Sequence, residues 1–113
     1  MNKQINMKIF YADYVEQHEI PFDNGVEMDR EKALQSFSEL TDFEDNFWGL
    51  FDDADRTLQF MSTGDDWLAD IPDSSKGGSY VKHCTFDECL LLIREAYEKN
   101  KVEVPAGFEF EKW

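Results

Sequence analysis

The sequence predicts an α+β domain: an antiparallel sheet of about five short strands with two helices packed against it. Three observations lead there. Short stretches of alternating apolar and polar residues recur between turn residues, and two segments switch to the 3.6-residue apolar period of a helix. The connections between neighbouring strands are too short for the crossovers that parallel pairing needs. A chain of 113 residues is the usual size of one folded unit, so residues 1–113 are read as a single domain.

Ile5, Met7, Ile9 and Tyr11 fall on one side of a period-2 pattern, with Asn6 and Lys8 on the other and Phe10 breaking the polarity. This predicts a first strand over Ile5–Tyr11. Glu16 to Gly25 carries Pro21 and the Asn24-Gly25 pair and reads as a loop or a short hairpin arm. Asp29 is placed to cap a helix from Arg30 to Leu40, with Ala33, Leu34, Phe37 and Leu40 on its apolar stripe. Phe47–Phe51 and Thr57–Ser62 read as a hairpin joined by Asp52-Asp53-Ala54-Asp55-Arg56, where Asp side chains can bond nearby backbone N–H groups.

Trp67–Ile71 alternates and is closed by Pro72, and Asp73–Gly78 reads as a mobile connection before a strand over Ser79–Cys84. Thr85 and Glu88 have the spacing of a capping box, ahead of a helix with Phe86, Cys89, Leu90, Ile93, Ala96 and Tyr97 on one face. That helix should end near Asn100. Val102–Val104 and Phe108–Phe110 suggest a last strand interrupted by Pro105 and Gly107.

Charge narrows the function. The chain carries 25 acidic and 11 basic residues, a net charge of -14, which disfavours direct binding to a phosphate backbone or to an anionic membrane. A field of this sign draws in a cationic partner. Between Asp13 and Asp55 there are fourteen acidic residues and two basic ones, Arg30 and Lys32, whereas the remainder is nearly balanced. The N-terminal residues have no unbroken apolar core or small-residue cleavage site, and no apolar run approaches the roughly 18 residues of a membrane span. A cytoplasmic location with Cys84 and Cys89 as free thiols is the expectation.

No chemical motif emerges, and no cofactor is expected. His83, Cys84 and Cys89 would need a fourth zinc ligand, and His18 is the one other histidine or cysteine. His83 and Cys84 as strand neighbours point to opposite faces, which is wrong for a nucleophilic pair. A calcium loop starting at Asp53 would put Leu58 where glycine is needed and Gly64 where glutamate is needed. Lys76-Gly77-Gly78-Ser79 lacks the order of a phosphate loop. Carboxylate pairs such as Asp52 with Asp55, or Asp65 with Asp66, arise from the abundance of acids alone. Binding is the better supported class, and the chain is not expected to be an enzyme.

The stretch Asp42–Asp55, DFEDNFWGLFDDAD, sets six carboxylates around an apolar run and holds no Lys or Arg. Its acids Asp42, Glu44, Asp45, Asp52, Asp53 and Asp55, with Trp48 as an aromatic anchor, are the candidate partner-binding residues. Phe47 and Phe51 are assigned to the scaffold. A small, strongly acidic chain with Phe47-Trp48-Gly49 leading into a hairpin, then DDWLADIP (65–72), GGSYVKH (77–83) and a capped amphipathic helix, resembles the bacterial immunity proteins of contact-dependent inhibition and polymorphic toxin systems. The likeness is one of pattern over most of the chain and carries no residue role with it. It implies a cognate basic toxin domain, often a nuclease, blocked by a tight complex. A phage-encoded DNA mimic and a small enzyme are the alternatives; carboxylates spaced like phosphates would mark the first and a deep polar pocket the second.

Overall fold

A computed structural model describes residues 5–113. Its elements run β1 (Asn6–Asp13), β2 (His18–Ile20), β3 (Val26–Asp29), α1 (Arg30–Ser38), β4 (Phe47–Phe51), β5 (Thr57–Ser62), β6 (Trp67–Asp73), β7 (Gly78–Cys84), α2 (Phe86–Lys99) and β8 (Glu109–Lys112). The strands form one sheet in the order β2-β1-β4-β5-β6-β7-β8, with β3 also on β1. Every pairing is antiparallel.

The expected class holds, with two helices on an antiparallel sheet, but among the described residues the sheet has eight strands rather than about five. Part of the difference lies in the segment expected to be a loop or a short hairpin arm. β2 pairs with Tyr11–Asp13 and β3 with Asn6–Ile9, along the same edge of β1. Together they are one edge strand interrupted by a 3-10 turn at Phe22–Asn24. Both pieces are short and mostly exposed, so they lack the apolar alternation that announces a strand. The expected mobile connection is instead the end of β6, which continues through Pro72, and a 3-10 turn at Ser74–Lys76 closed by Gly77 at φ 67°. The last strand falls at Glu109–Lys112, and Val102 is buried outside any strand.

Alternation sends Met7, Ile9, Trp48, Leu50, Leu58, Phe60, Trp67, Ala69 and Ile71 to one face, where all are buried under the helices. α1 starts at Asp29, whose carboxylate accepts from the Lys32 amide at 2.8 Å. It drives Phe37 into the centre of this core. The Phe37 ring lies 4.9 Å from Trp67, 5.4 Å from Phe60 and Phe86 and 5.7 Å from Trp48, centroid to centroid. Four aromatic rings thus surround one fully buried ring. α2 begins at the expected capping box, with both reciprocal bonds between Thr85 and Glu88 formed. It buries Cys89, Ile93, Ala96 and Tyr97. The Tyr97 hydroxyl donates to the Met28 carbonyl at 2.7 Å, tying α2 to the split edge strand.

Among the described residues no helix covers the other face of the sheet, and no helix is long and apolar enough to cross a membrane.

Candidate functional site

The turn between β4 and β5 divides its acids between two jobs. Asp52 turns inward: Oδ1 accepts from the amides of Ala54 and Arg56, each at 2.9 Å, and Oδ2 from the Val102 amide at 2.8 Å and Arg56 Nε at 3.1 Å. Its side chain is enclosed, at 1% exposure. It therefore organises the turn and anchors the segment after α2, and it is not the exposed contact the sequence suggested. Asp53 and Asp55 are exposed, Asp55 in the left-handed region at φ 60°. They line a recess of about 290 Å³ with Asp23 and Glu27, which the split edge strand brings from the far side of β1. Lys8 stands between, paired in register with Glu27 on one side and Phe51 on the other. It is the basic residue lining this cleft among the described residues.

Asp42, Glu44 and Asp45 are also exposed, but they lie at the opposite end of β4. Five residues at roughly 3.4 Å each put about 17 Å between the two groups. The Ser62 hydroxyl donates to the Asp42 carbonyl at 2.7 Å, and the Asp45 amide donates to the Ser62 carbonyl at 2.9 Å, which fixes this second group against β5. Trp48 is corrected outright. It is fully buried, and its Nε1 donates to Ser36 Oγ at 2.8 Å, so it holds α1 to the sheet and does not stand exposed as an anchor.

The face without a helix carries Phe10, Phe47, Phe51, Met61 and Leu68, so Phe47 and Phe51, which the sequence assigned to the scaffold, lie on the side away from the helical core. Phe10 can lie flat across the middle of this face because residue 49 is glycine: a Cβ there would meet Phe10 Cζ at 2.1 Å. Phe22, carried in by the 3-10 turn, meets Phe10 and Phe51 edge-on at 5.1 and 4.9 Å and remains more than half exposed. Beside these rings runs an apolar groove of about 270 Å³. Phe22 lines both the groove and the acidic cleft, so its ring stands where the two adjoin.

Asp70 forms part of the groove wall, in register with Gln59 on β5 and Val81 on β7. Its Oδ1 is buried without a hydrogen-bond partner among the described residues. Burial pushes its carboxyl above the usual range, against the hydrogen bonds that the Ser79 and Gln59 side chains make to it, and Glu111 adds to the rise. Phe22 and Asp70 were not among the sequence candidates. One signal for the aromatic side was legible: Phe10 breaks the polarity of its strand, as a residue meant for a second apolar surface would.

At the other end of the sheet Asp13 is fully engaged. It accepts from the amides of Thr41 (2.9 Å), Val15 (3.0 Å) and Glu16 (3.2 Å), from the Thr41 hydroxyl (3.0 Å) and from Asn46 Nδ2 (3.1 Å). Burial alone would raise this carboxyl, but the bonds from Thr41, Glu16 and Val15 outweigh it and hold the pKa at about 2. Cys84 and Cys89 are buried free thiols, both pushed upward by burial, and His83 is exposed and meets Asp66 at 3.1 Å. Among the described residues no three His, Cys, Asp or Glu side chains are set to hold a metal ion.

Comparison of the chain with protein-family models, with curated proteins and with solved structures finds no match in any of the three.

Proposed function

We propose that this protein is an immunity-type inhibitor that acts in the bacterial cytoplasm by binding a cognate basic toxin domain. The observation that carries the proposal is the meeting of Asp53 and Asp55 with Asp23 and Glu27 in one cleft that opens onto the exposed ring of Phe22. Carboxylates supply attraction and orientation to a cationic partner, and an adjoining aromatic surface supplies the desolvated contact that turns an encounter into a tight complex. Lysines and arginines that a nuclease uses to hold a phosphate backbone are suitable targets for such a cleft. Asp42, Glu44 and Asp45, about 17 Å away across β4, are assigned to steering of the approach rather than to the central contact.

The test is inhibition of a candidate toxin domain taken from the gene neighbourhood, with Asp53→Lys/Asp55→Lys and Asp42→Lys/Asp45→Lys compared with the native chain. The first pair should abolish protection and the second should mainly slow association. Undiminished inhibition by the first pair would remove the cleft from the binding site.

A further inference from the structure

We infer that the apolar groove is a slot for one long cationic side chain of the partner, a lysine or arginine whose aliphatic stem lies on Phe22, Phe47, Met61 and Leu68 and whose charged head meets Asp70. The slot presupposes the basic partner proposed above and specifies how one of its side chains is read.

Two independent features point to this occupant rather than to a purely apolar one. The first is the wall itself, where the half-buried carboxylate of Asp70, bonded by the neutral side chains of Ser79 and Gln59 but with its Oδ1 enclosed and unbonded among the described residues, stands beside Gln59 in an otherwise aromatic and aliphatic surface. A carboxylate removed from water is costly unless it is paired, and a guanidinium or ammonium is the group that pairs with it. The second is the surrounding charge. Ser79 and Glu111 face each other in the register of β7 and β8, and the Ser79 hydroxyl accepts from Trp113 Nε1 at 3.0 Å. Glu111 adds negative charge near Asp70 rather than offsetting it. Phe22 also lines the cleft of Asp23, Glu27, Asp53 and Asp55, so the field around the groove has the same sign. Lysine and arginine suit such a slot because their stems cover apolar surface while the head stays with its counter-charge.

The slot can be tested without the partner. Uniformly 15N-labelled protein is titrated with n-hexylammonium, hexan-1-ol and hexanoate while the amides of Gln59, Met61, Leu68 and Asp70 are followed by NMR. The ammonium should shift these amides and bind about tenfold more tightly than the alcohol, as a charge-assisted bond to the carboxylate requires. Hexanoate should bind weakest. Asp70→Asn should remove the preference for ammonium while leaving the alcohol unchanged. Met61→Lys, at an exposed position, should exclude the ammonium by supplying one from within. Equal binding of ammonium and alcohol, or shifts confined to the amides around Asp53 and Asp55, would overturn the slot. If the probe binds through Asp70 but no basic protein does, the slot stands and the immunity function falls. If a toxin domain is inhibited equally by the native chain and Asp70→Asn, the function stands and the slot falls.

Discussion

Replacing Gly49 with alanine should destabilise the protein by about 1–3 kcal/mol, the cost of forcing a group into a packed site. Backbone entropy predicts the opposite sign, since Gly→Ala in a regular element stabilises by about 0.5–1 kcal/mol. The two effects are decided by geometry. An alanine Cβ would sit 2.1 Å from Phe10 Cζ, 2.5 Å from Cε1 and 2.8 Å from Cε2, all well inside contact distance. Phe10 is 1% exposed and holds Phe22 and Phe51 at its edges, so its ring cannot lift without loosening both. Losing the buried ring would remove about 1.5–3 kcal/mol, and each aromatic pair about 0.5–1.5 kcal/mol more, which outweighs the entropic gain. Equilibrium urea denaturation of Gly49→Ala, Phe10→Ala and the double variant forms a cycle that isolates this contact. In the Phe10→Ala background the alanine at 49 should be neutral or stabilising. A higher urea midpoint for Gly49→Ala alone, or the same penalty with and without the Phe10 ring, would refute the account of this face.

Asp52→Ala should cost about 2–4 kcal/mol, because it leaves the buried Val102 amide and the turn amides without their acceptor, whereas Asp53→Ala should stay within about 0.5 kcal/mol of native; paired urea midpoints check the contrast. Asp13 has a folded pKa of about 2 against an ordinary 3.8. Its contribution is therefore complete above the unfolded value and is lost as pH falls through about 2. With solvent screening allowed for, that contribution is on the order of 1–2 kcal/mol. The gap in thermal midpoint between the native chain and Asp13→Asn should be widest near neutral pH and close toward pH about 2; a gap that does not change with pH would contradict the hydrogen-bond account of this carboxylate.

Much of the fold was legible because its signals are local. The β4–β5 hairpin lies at its expected bounds, and the caps at Asp29 and Thr85 are formed by the residues whose spacing announced them. The split strand His18–Asp29 was legible only in part, its first piece falling in the segment read as a loop or a short hairpin arm. It draws its stability from the edge of β1 and shows that edge to solvent, so its residues carry no periodic burial to read. The acids of the candidate site were legible as a count but not as a place. Asp52 and Asp53 are adjacent in sequence, yet one accepts four hydrogen bonds inside a turn and the other is exposed. Asp23 and Glu27 enter the cleft through pairing across β1, a relation between distant segments that no local pattern carries. Trp48 illustrates the same limit, since a tryptophan on a strand can face either way and here the Ser36 hydroxyl and the Phe37 ring take it inward.

The central claim is that the cleft of Asp53, Asp55, Asp23 and Glu27 is where a basic partner is held. It is tested most directly by stopped-flow association with a candidate toxin domain at about 50 mM and about 500 mM salt, native chain against Asp53→Lys/Asp55→Lys. The native association rate should fall by about tenfold or more at the higher salt, and the variant should start slow and change little. Equal rates for the two proteins at low salt would contradict the claim.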